Sequence, residues 1–269
     1  MSEERAQKAL SRMGFGSRRE IERWIERGQV KVNGEKIKLG AKVEEGDRAE
    51  FHGKRIIIRA AKAEVRVLVY NKPVGEVCSR KDEEGRKTVF DHLPKLTNSR
   101  WVSIGRLDIN TSGLLLFTNN GELANRMMHP SHEIEREYAV RVRGEVTLDK
   151  IKQLKKGVEL EDGSAHFDEI VDAGGQGSNH WYHVVLREGR NREVRRLWEA
   201  VDVTVSRLMR VRYGEIHLPK SLRQGKTMDL EQPEVKQLME SVGLELDEQG
   251  IRKEQDRKRK TKHFKARGR

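Results

Sequence analysis

The sequence predicts an α+β fold in two units: a small α/β unit at the N-terminus, then a larger unit with a mainly antiparallel, mixed sheet. Three observations lead there. Over the first 60 residues, two short helical patterns are followed by a tight hairpin. From Val65 onward, short β-branched runs mingle with helical patterns, without the regular βαβ alternation of a parallel sheet. Charge is also uneven: residues 1–60 hold 15 Lys and Arg against 10 Asp and Glu, residues 251–269 hold 10 against 2, and the stretch between holds 30 against 31. The expected divisions are 1–60, 65–245, and a basic, disordered tail at 246–269.

Each element has a local reason. Ala6, Ala9, Leu10 and Met13 share one helical face, which Gly14 and Gly16 interrupt. Ser17 with Glu20 three positions on is a capping box opening a second helix. Ile21, Trp24 and Ile25 are its buried stripe, Gly28 its end, and Arg18, Arg19, Arg23 and Arg27 fill its other faces. Val30 to Ile37 alternates around Asn33-Gly34, which predicts a hairpin with a type I′ turn. Residues 54–64 read as a linker. Strands are expected at Val65–Tyr70, Trp101–Ile104, Leu114–Thr118, Tyr138–Val142, Tyr182–Leu186 and Val205–Val211. Helices are expected at Glu122–Met128, Thr147–Lys155, Asn191–Ala200 and Pro233–Ser241.

Composition excludes several classes. The apolar run Gly113–Phe117 is far too short to span a bilayer. The opening Met-Ser-Glu-Glu-Arg carries no apolar segment, so no secretory signal is expected. One cysteine, Cys78, rules out an internal disulfide and suits a reducing compartment, so the expected location is the cytoplasm. Basic ends around a near-neutral middle suit a polyanion-binding protein with a separate working unit. A basic tail that merely aids solubility fits the same composition.

The stretch richest in chemistry is Gly105-Arg106-Leu107-Asp108, then Ile109-Asn110-Thr111-Ser112-Gly113-Leu114-Leu115-Leu116-Phe117-Thr118. A strand ends, a polar loop follows, and an apolar strand leaves. Asp108, Asn110, Ser112 and Gly113 echo a calcium loop, but position 12 of that loop is Asn119 where a bidentate Glu is needed. An ordinary turn, with Asp and Asn bonding backbone, is the better reading on residues alone. His129 and His132, and His180 and His183, show a His-x-x-His spacing without Cys or carboxylate company, so no metal is expected.

Beyond the residues themselves, the Gly105–Asp108 run with its D-x-x-T-x-G-L-L-L-x-T continuation resembles the GRLD motif of the RsuA-type pseudouridine synthases. Tyr70-Asn71-Lys72-Pro73-Val74-Gly75 is similar to the family's K-P-x-G entry strand. Arg136-Glu137-Tyr138 and Glu188 to Leu197 are similar to its two later motifs. Asn119-Asn120-Gly121 departs from the usual Asn-Asp-Gly. Residues 7–34, with helix, cap, glycine and hairpin in order, resemble the S4 RNA-binding domain. Trp101, Gly121 to Arg126, and Arg195 to Ala200 bring the run closest to members acting on large-subunit rRNA.

The resemblance implies isomerisation of a uridine to pseudouridine, with no cofactor. It implies Asp108 as nucleophile, Arg195 as the cation paired with it, and Tyr138 against the uracil. It also implies Arg106 filling the space of the flipped base, and Arg18 and Arg19 on RNA. The implied partner is 23S rRNA, free or in a pre-ribosomal particle, with uridine 2605 as target; the expected state is a monomer without membrane attachment. Two alternatives stay open: a family member acting on 16S rRNA, and an S4-type binding or assembly protein with an inactive catalytic fold.

Overall fold

The computed structural model describes residues 3–59, 64–96, 99–176 and 179–245. The expected basic tail, with Arg257 to Lys260, lies outside the described residues, as do linker residues 60–63.

The N-terminal part begins with β1 (Glu4–Arg5), α1 (Ala6–Arg12) and α2 (Arg18–Glu26). Ser17 caps α2 as its sequence predicts: its hydroxyl accepts from Glu20 N at 3.1 Å, and the Glu20 carboxylate accepts from Ser17 N at 3.2 Å. β2 (Val30–Val32) and β3 (Glu35–Lys36) form the expected hairpin. Asn33 and Gly34, at φ 51° and 90°, take the positive angles a type I′ turn demands. β4 (Lys42–Val43) pairs with β1, while β5 (Arg48–Phe51) and β6 (Lys54–Ile57) complete a four-stranded sheet in the order β3-β2-β5-β6, so the expected linker at 54–64 is corrected at its start: residues 54–57 pair with β5 and Ile58 is buried in this core. Ala6, Leu10, Ile21, Ile25, Val30 and Phe51 are among its buried core residues. Trp24, expected in the buried stripe, is half-buried and stacks on Phe51 with ring centres 5.8 Å apart.

The larger part holds β7 (Val67–Lys72), β8 (Val102–Ile104), β9 (Ser112–Thr118), α3 (Gly121–Met128), β10 (Arg136–Arg143), α4 (Leu148–Lys156), β11 (Val158–Leu160), β12 (Gly163–Ala165), β13 (Glu169–Gln176), β14 (Asn179–Leu186), α5 (Glu193–Glu199), β15 (Thr204–Tyr213), β16 (Ile216–His217), β17 (Thr227–Asp229) and α6 (Gln232–Glu240). Its main sheet runs β13-β14-β10-β15-β9-β7-β17, with β8 also on β9 and β16 on β15. Every pairing is antiparallel except β15 with β9, which makes the sheet mixed but mainly antiparallel, as expected.

The unbroken apolar run of β9 has a plain cause. Leu115 and Phe117 face one core with Tyr138, Val194, Leu197 and Trp198. Leu114 and Leu116 face a second core with Leu123, Met127, Val235 and Leu238 from α3 and α6. A strand buried on both faces loses the polar alternation of a half-exposed one. Helix α5 starts two residues later than its pattern suggests, because Arg192 adopts a left-handed conformation (φ 50°). Asn120 caps α3, its Oδ1 accepting from Glu122 N (2.9 Å) and Leu123 N (3.1 Å). Asn serves at this position as well as Asp, so the departure from Asn-Asp-Gly is structurally silent here.

Candidate active site

Asp108 lies on the loop between β8 and β9, and the backbone of that loop is held carbonyl by carbonyl. Lys72 Nζ, at the end of β7, donates to the carbonyls of Asp108 (3.2 Å) and Thr111 (2.9 Å), and to its neighbour Pro73 (3.0 Å). Gly75 N donates to Ile109 O at 2.8 Å. Arg195 Nη2 donates to Asn110 O at 3.0 Å. Thr111 N closes the turn on Asp108 O at 3.0 Å, and Leu107 N points to Cys78 Sγ at 3.4 Å. Four successive carbonyls, 108 to 111, are thus fixed from β7, the loop after it, and α5. Among the described residues, no side-chain hydrogen bond or ion pair engages the Asp108 carboxylate, and the residue is half-buried next to Leu107, which belongs to the apolar cluster. The turn reading of Asp108 therefore captures its backbone but leaves its side chain free.

Arg195 comes from α5 and is 8% exposed. Its Nη1 donates to Val205 O at 3.0 Å, so the guanidinium bridges β15 and the Asp108 loop. The expected direct ion pair with Asp108 is not formed: both terminal nitrogens are taken by carbonyls, and Nε is buried without a partner. Burial holds the Arg195 guanidinium below its ordinary pKa, Arg192 adds to this, and Asp108 and Glu199 oppose it. Asp108 and Arg195 thus interact through space.

Tyr138 of β10 is 8% exposed and packs in the same apolar cluster as Leu107, Val194 and Leu197. It sits opposite Arg210 of β15, which in turn sits opposite Gly113 of β9. That row spans two strand spacings, placing Tyr138 about 10 Å from Gly113, just past the Asp108 loop. Arg106 is on the Asp108 loop and exposed. Arg18 and Arg19 are exposed on α2, in the N-terminal part, and do not join the loop.

Lys72 and Arg210 had no assigned role in the sequence. Lys72 is 0% exposed, and burial lowers its pKa against the opposing charges of Cys78, Glu76 and Asp108. Arg210 is 2% exposed; its Nε donates to Leu114 O (2.8 Å) and its guanidinium lies 5.0 Å from the Tyr213 ring. The available signal was a lysine closing an otherwise apolar strand, Val67-Leu68-Val69-Tyr70-Asn71-Lys72, next to a proline. The histidines have ordinary partners: His129 contacts Ser131, His180 contacts Asp172, and His183 contacts Glu137. Among the described residues, no group of three or more His, Cys, Asp and Glu gathers to hold a metal, and no helix is long and apolar enough to cross a membrane.

Comparisons with known proteins agree with this architecture. Residues 66–200 match the family described as RNA pseudouridylate synthase, and residues 4–48 match the S4 domain. The chain is 57% identical over 262 residues to a ribosomal large subunit pseudouridine synthase B of Yersinia pestis, covering 95% of this chain and 82% of that one. It is 57% identical over 244 residues to the protein of the same name from Escherichia coli (strain K12), covering 90% and 84%. A solved structure described as a pseudouridylate synthase superposes with a TM-score of 0.61 at 26% identity, over 87% of this chain and 99% of that one. With its Gly105–Asp108 loop set in this fold and an S4 domain ahead of it, the chain belongs to the RNA pseudouridylate synthase family and is a pseudouridine synthase of the RsuA type.

Proposed function

We propose that the chain converts one uridine of 23S rRNA to pseudouridine, at the position numbered 2605, and meets it on free rRNA or on an assembling ribosomal particle in the cytoplasm. The substrate assignment is supported by relatives whose names specify the ribosomal large subunit. In the reaction, the bond from uracil N1 to the ribose C1′ breaks and a bond from C5 to C1′ forms. The proton at C5 leaves and N1 gains one, so atoms and electrons balance without redox chemistry or hydrolysis.

Asp108 is the proposed nucleophile. The observation that carries this is the fixing of carbonyls 108 to 111 while no hydrogen bond or ion pair from the described residues engages the Asp108 carboxylate. A rigid backbone with a free carboxylate is a preorganised reacting group. Arg195 lends positive charge through space and holds the loop. Tyr138 lies against the uracil, and its hydroxyl assists proton removal from C5. Arg106, exposed on the same loop, fills the stack that the flipped base leaves, offsetting part of a cost of a few kcal/mol. Arg18 and Arg19 contact the RNA away from the chemistry.

The test is carbodiimide mapping of pseudouridine on unmodified 16S and 23S transcripts, and then on ribosomal particles, with the wild type and with Asp108→Ala. The expected outcome is one new stop in 23S RNA made by the wild type alone. A stop that survives in Asp108→Ala would remove the nucleophile, a stop only in 16S RNA would move the substrate, and no stop on any substrate would favour an RNA-binding role.

A further inference from the structure

Where the N-terminal part meets the catalytic part, Arg18 and Arg80, from separate segments, lie close enough for their charges to act on Arg100. Gly14, between α1 and α2, packs so closely on the loop before β8 that a Cβ there would lie 3.1 Å from Ser99 O. Arg100 follows Ser99 directly. Its Nε is buried without a hydrogen-bond partner among the described residues. Arg80 reaches across from the loop after β7: its Nη2 donates to Trp101 O, and its guanidinium lies 4.3 Å from the centre of the Phe90 ring. Arg18, the first residue of α2, extends toward α3, with Nη2 3.8 Å from where a side chain on Gly121 would begin.

The local charge is not balanced from within. Burial lowers the Arg100 pKa; the positive charges of Arg80 and Arg18 lower it further, and only Glu20 opposes them. Glu20 is already engaged in the capping box of α2. Among the described residues, Glu20 is the carboxylate that acts against the positive charge at Arg100, and phosphate is an anion whose geometry a guanidinium fork matches. The placement also suits a strand running to the loop. Arg100 and Gly105 lie on either side of β8, five residues apart, so the Arg100 backbone stands about 16 Å from the start of the Asp108 loop.

We propose that Arg18, Arg80 and Arg100 form a phosphate clamp at this junction, gripping the RNA backbone between the docking helix α2 and the Asp108 loop. The proposal rests on RNA being the substrate. It adds to that reading a site shared by both parts of the chain, so that binding by the S4 domain sets the position of the strand at the loop.

The experiment is the salt dependence of binding to a 23S rRNA fragment, measured for the wild type, Arg100→Gln, Arg100→Lys, Arg18→Gln, and Lys236→Gln as a control for net charge. The slope of log affinity against log salt should shrink by about 0.7 to 0.9 for each lost phosphate contact. That loss is expected in Arg100→Gln and Arg18→Gln, with the slope kept in Arg100→Lys, which retains the charge, and in Lys236→Gln, on the exposed face of α6. A slope unchanged in both glutamine variants overturns the clamp, as does an equal loss in Lys236→Gln. If Arg100→Gln loses its cooperative melting transition, Arg80→Gln, measured in the same way, decides in its place, because Arg80 is exposed and has no proposed RNA contact outside the clamp. Binding slopes are read whether or not pseudouridine forms, so failure of the clamp and failure of the catalytic reading are separate results.

Discussion

Lys72 shows how one residue can set a reactive loop. A fully buried ammonium is costly unless each of its protons is bonded. Here all three N–H groups have carbonyl acceptors, two of them on the Asp108 loop. Lys72→Met keeps the length and apolar stem of the side chain but takes the ammonium away from all three carbonyls, leaving Asp108 O only the turn bond from Thr111 N. Each orphaned buried acceptor costs about 1–3 kcal/mol, relieved where the loop shifts toward water. The loop is the part free to shift, so activity should fall along with stability. The expected result is a midpoint in urea lowered by the equivalent of about 1–3 kcal/mol. In addition, kcat should fall on the order of 10²-fold with little change in KM, as a displacement near 1 Å at a reacting group would cause. Wild-type kcat in a destabilised Lys72→Met variant would mean that the loop holds its shape without the lysine. Arg195 is not equivalent: it anchors the opposite side of the loop and brings its own charge toward Asp108.

Among the elements, the contact of β9 with β15 is the most constrained. These two strands are the parallel pair of the main sheet, and they meet at Ser112 and Gly113, directly after the Asp108 loop. A Cβ on Gly113 would lie 2.3 Å from Arg210 O and 2.9 Å from Arg210 N, and the residue sits at φ 98°. Gly113→Ala therefore combines a backbone clash with a left-handed conformation, for a cost of about 3 kcal/mol or more. The melting temperature should fall by roughly 6–12 °C; a fall under roughly 2 °C would show that the strands can part there without loss. The sequence carried the glycine within its motif but not this reason, because the clash is with a residue almost a hundred positions away. The same distinction separates what was legible from what was not. The Ser17 capping box, the Asn33-Gly34 turn and the strand patterns of β9, β10 and β15 follow from local spacing, and each appears with small shifts at its ends. Asp108 was legible only through a resemblance, since a lone Asp in a polar loop also fits a turn. Lys72 and Arg210 were not legible as buried, because a charged residue in sequence reads as surface until the elements covering it are known. The Asp108–Arg195 pair was expected in direct contact, but two backbone carbonyls, invisible to side-chain patterns, take the guanidinium instead.

Over the whole molecule, the distribution of apolar burial argues for two folding units joined by a polar seam. The core of Ala6, Ala9, Leu10, Ile21, Ile25, Val30, Val43, Ala49, Phe51 and Ile58 shares no member with the two cores of the catalytic part. Among the described residues, the junction carries the packing of Gly14 on Ser99 and the arginines, where the charges of Arg80 and Arg18 act against that of Arg100. A unit of about 60 residues buries a smaller fraction of its surface than a larger one and is marginal by itself. We therefore expect the N-terminal part to unfold first on heating. Trp24 reports on it, stacked on Phe51, whereas Trp101, Trp181 and Trp198 lie in the larger part. The fluorescence melt of the wild type should show a minor early phase that is missing in Trp24→Phe, a substitution that keeps an aromatic ring on Phe51. Calorimetry should give an enthalpy larger than the van't Hoff value, since two units melting separately depart from two-state behaviour. Adding the 23S rRNA fragment should raise the early phase selectively, because a ligand bound across the seam stabilises the unit that would otherwise leave first. One transition, with equal enthalpies and the same midpoint by fluorescence and circular dichroism, would mean instead that the seam couples the parts as tightly as a shared core, and the arginines would then have to be balanced within the protein.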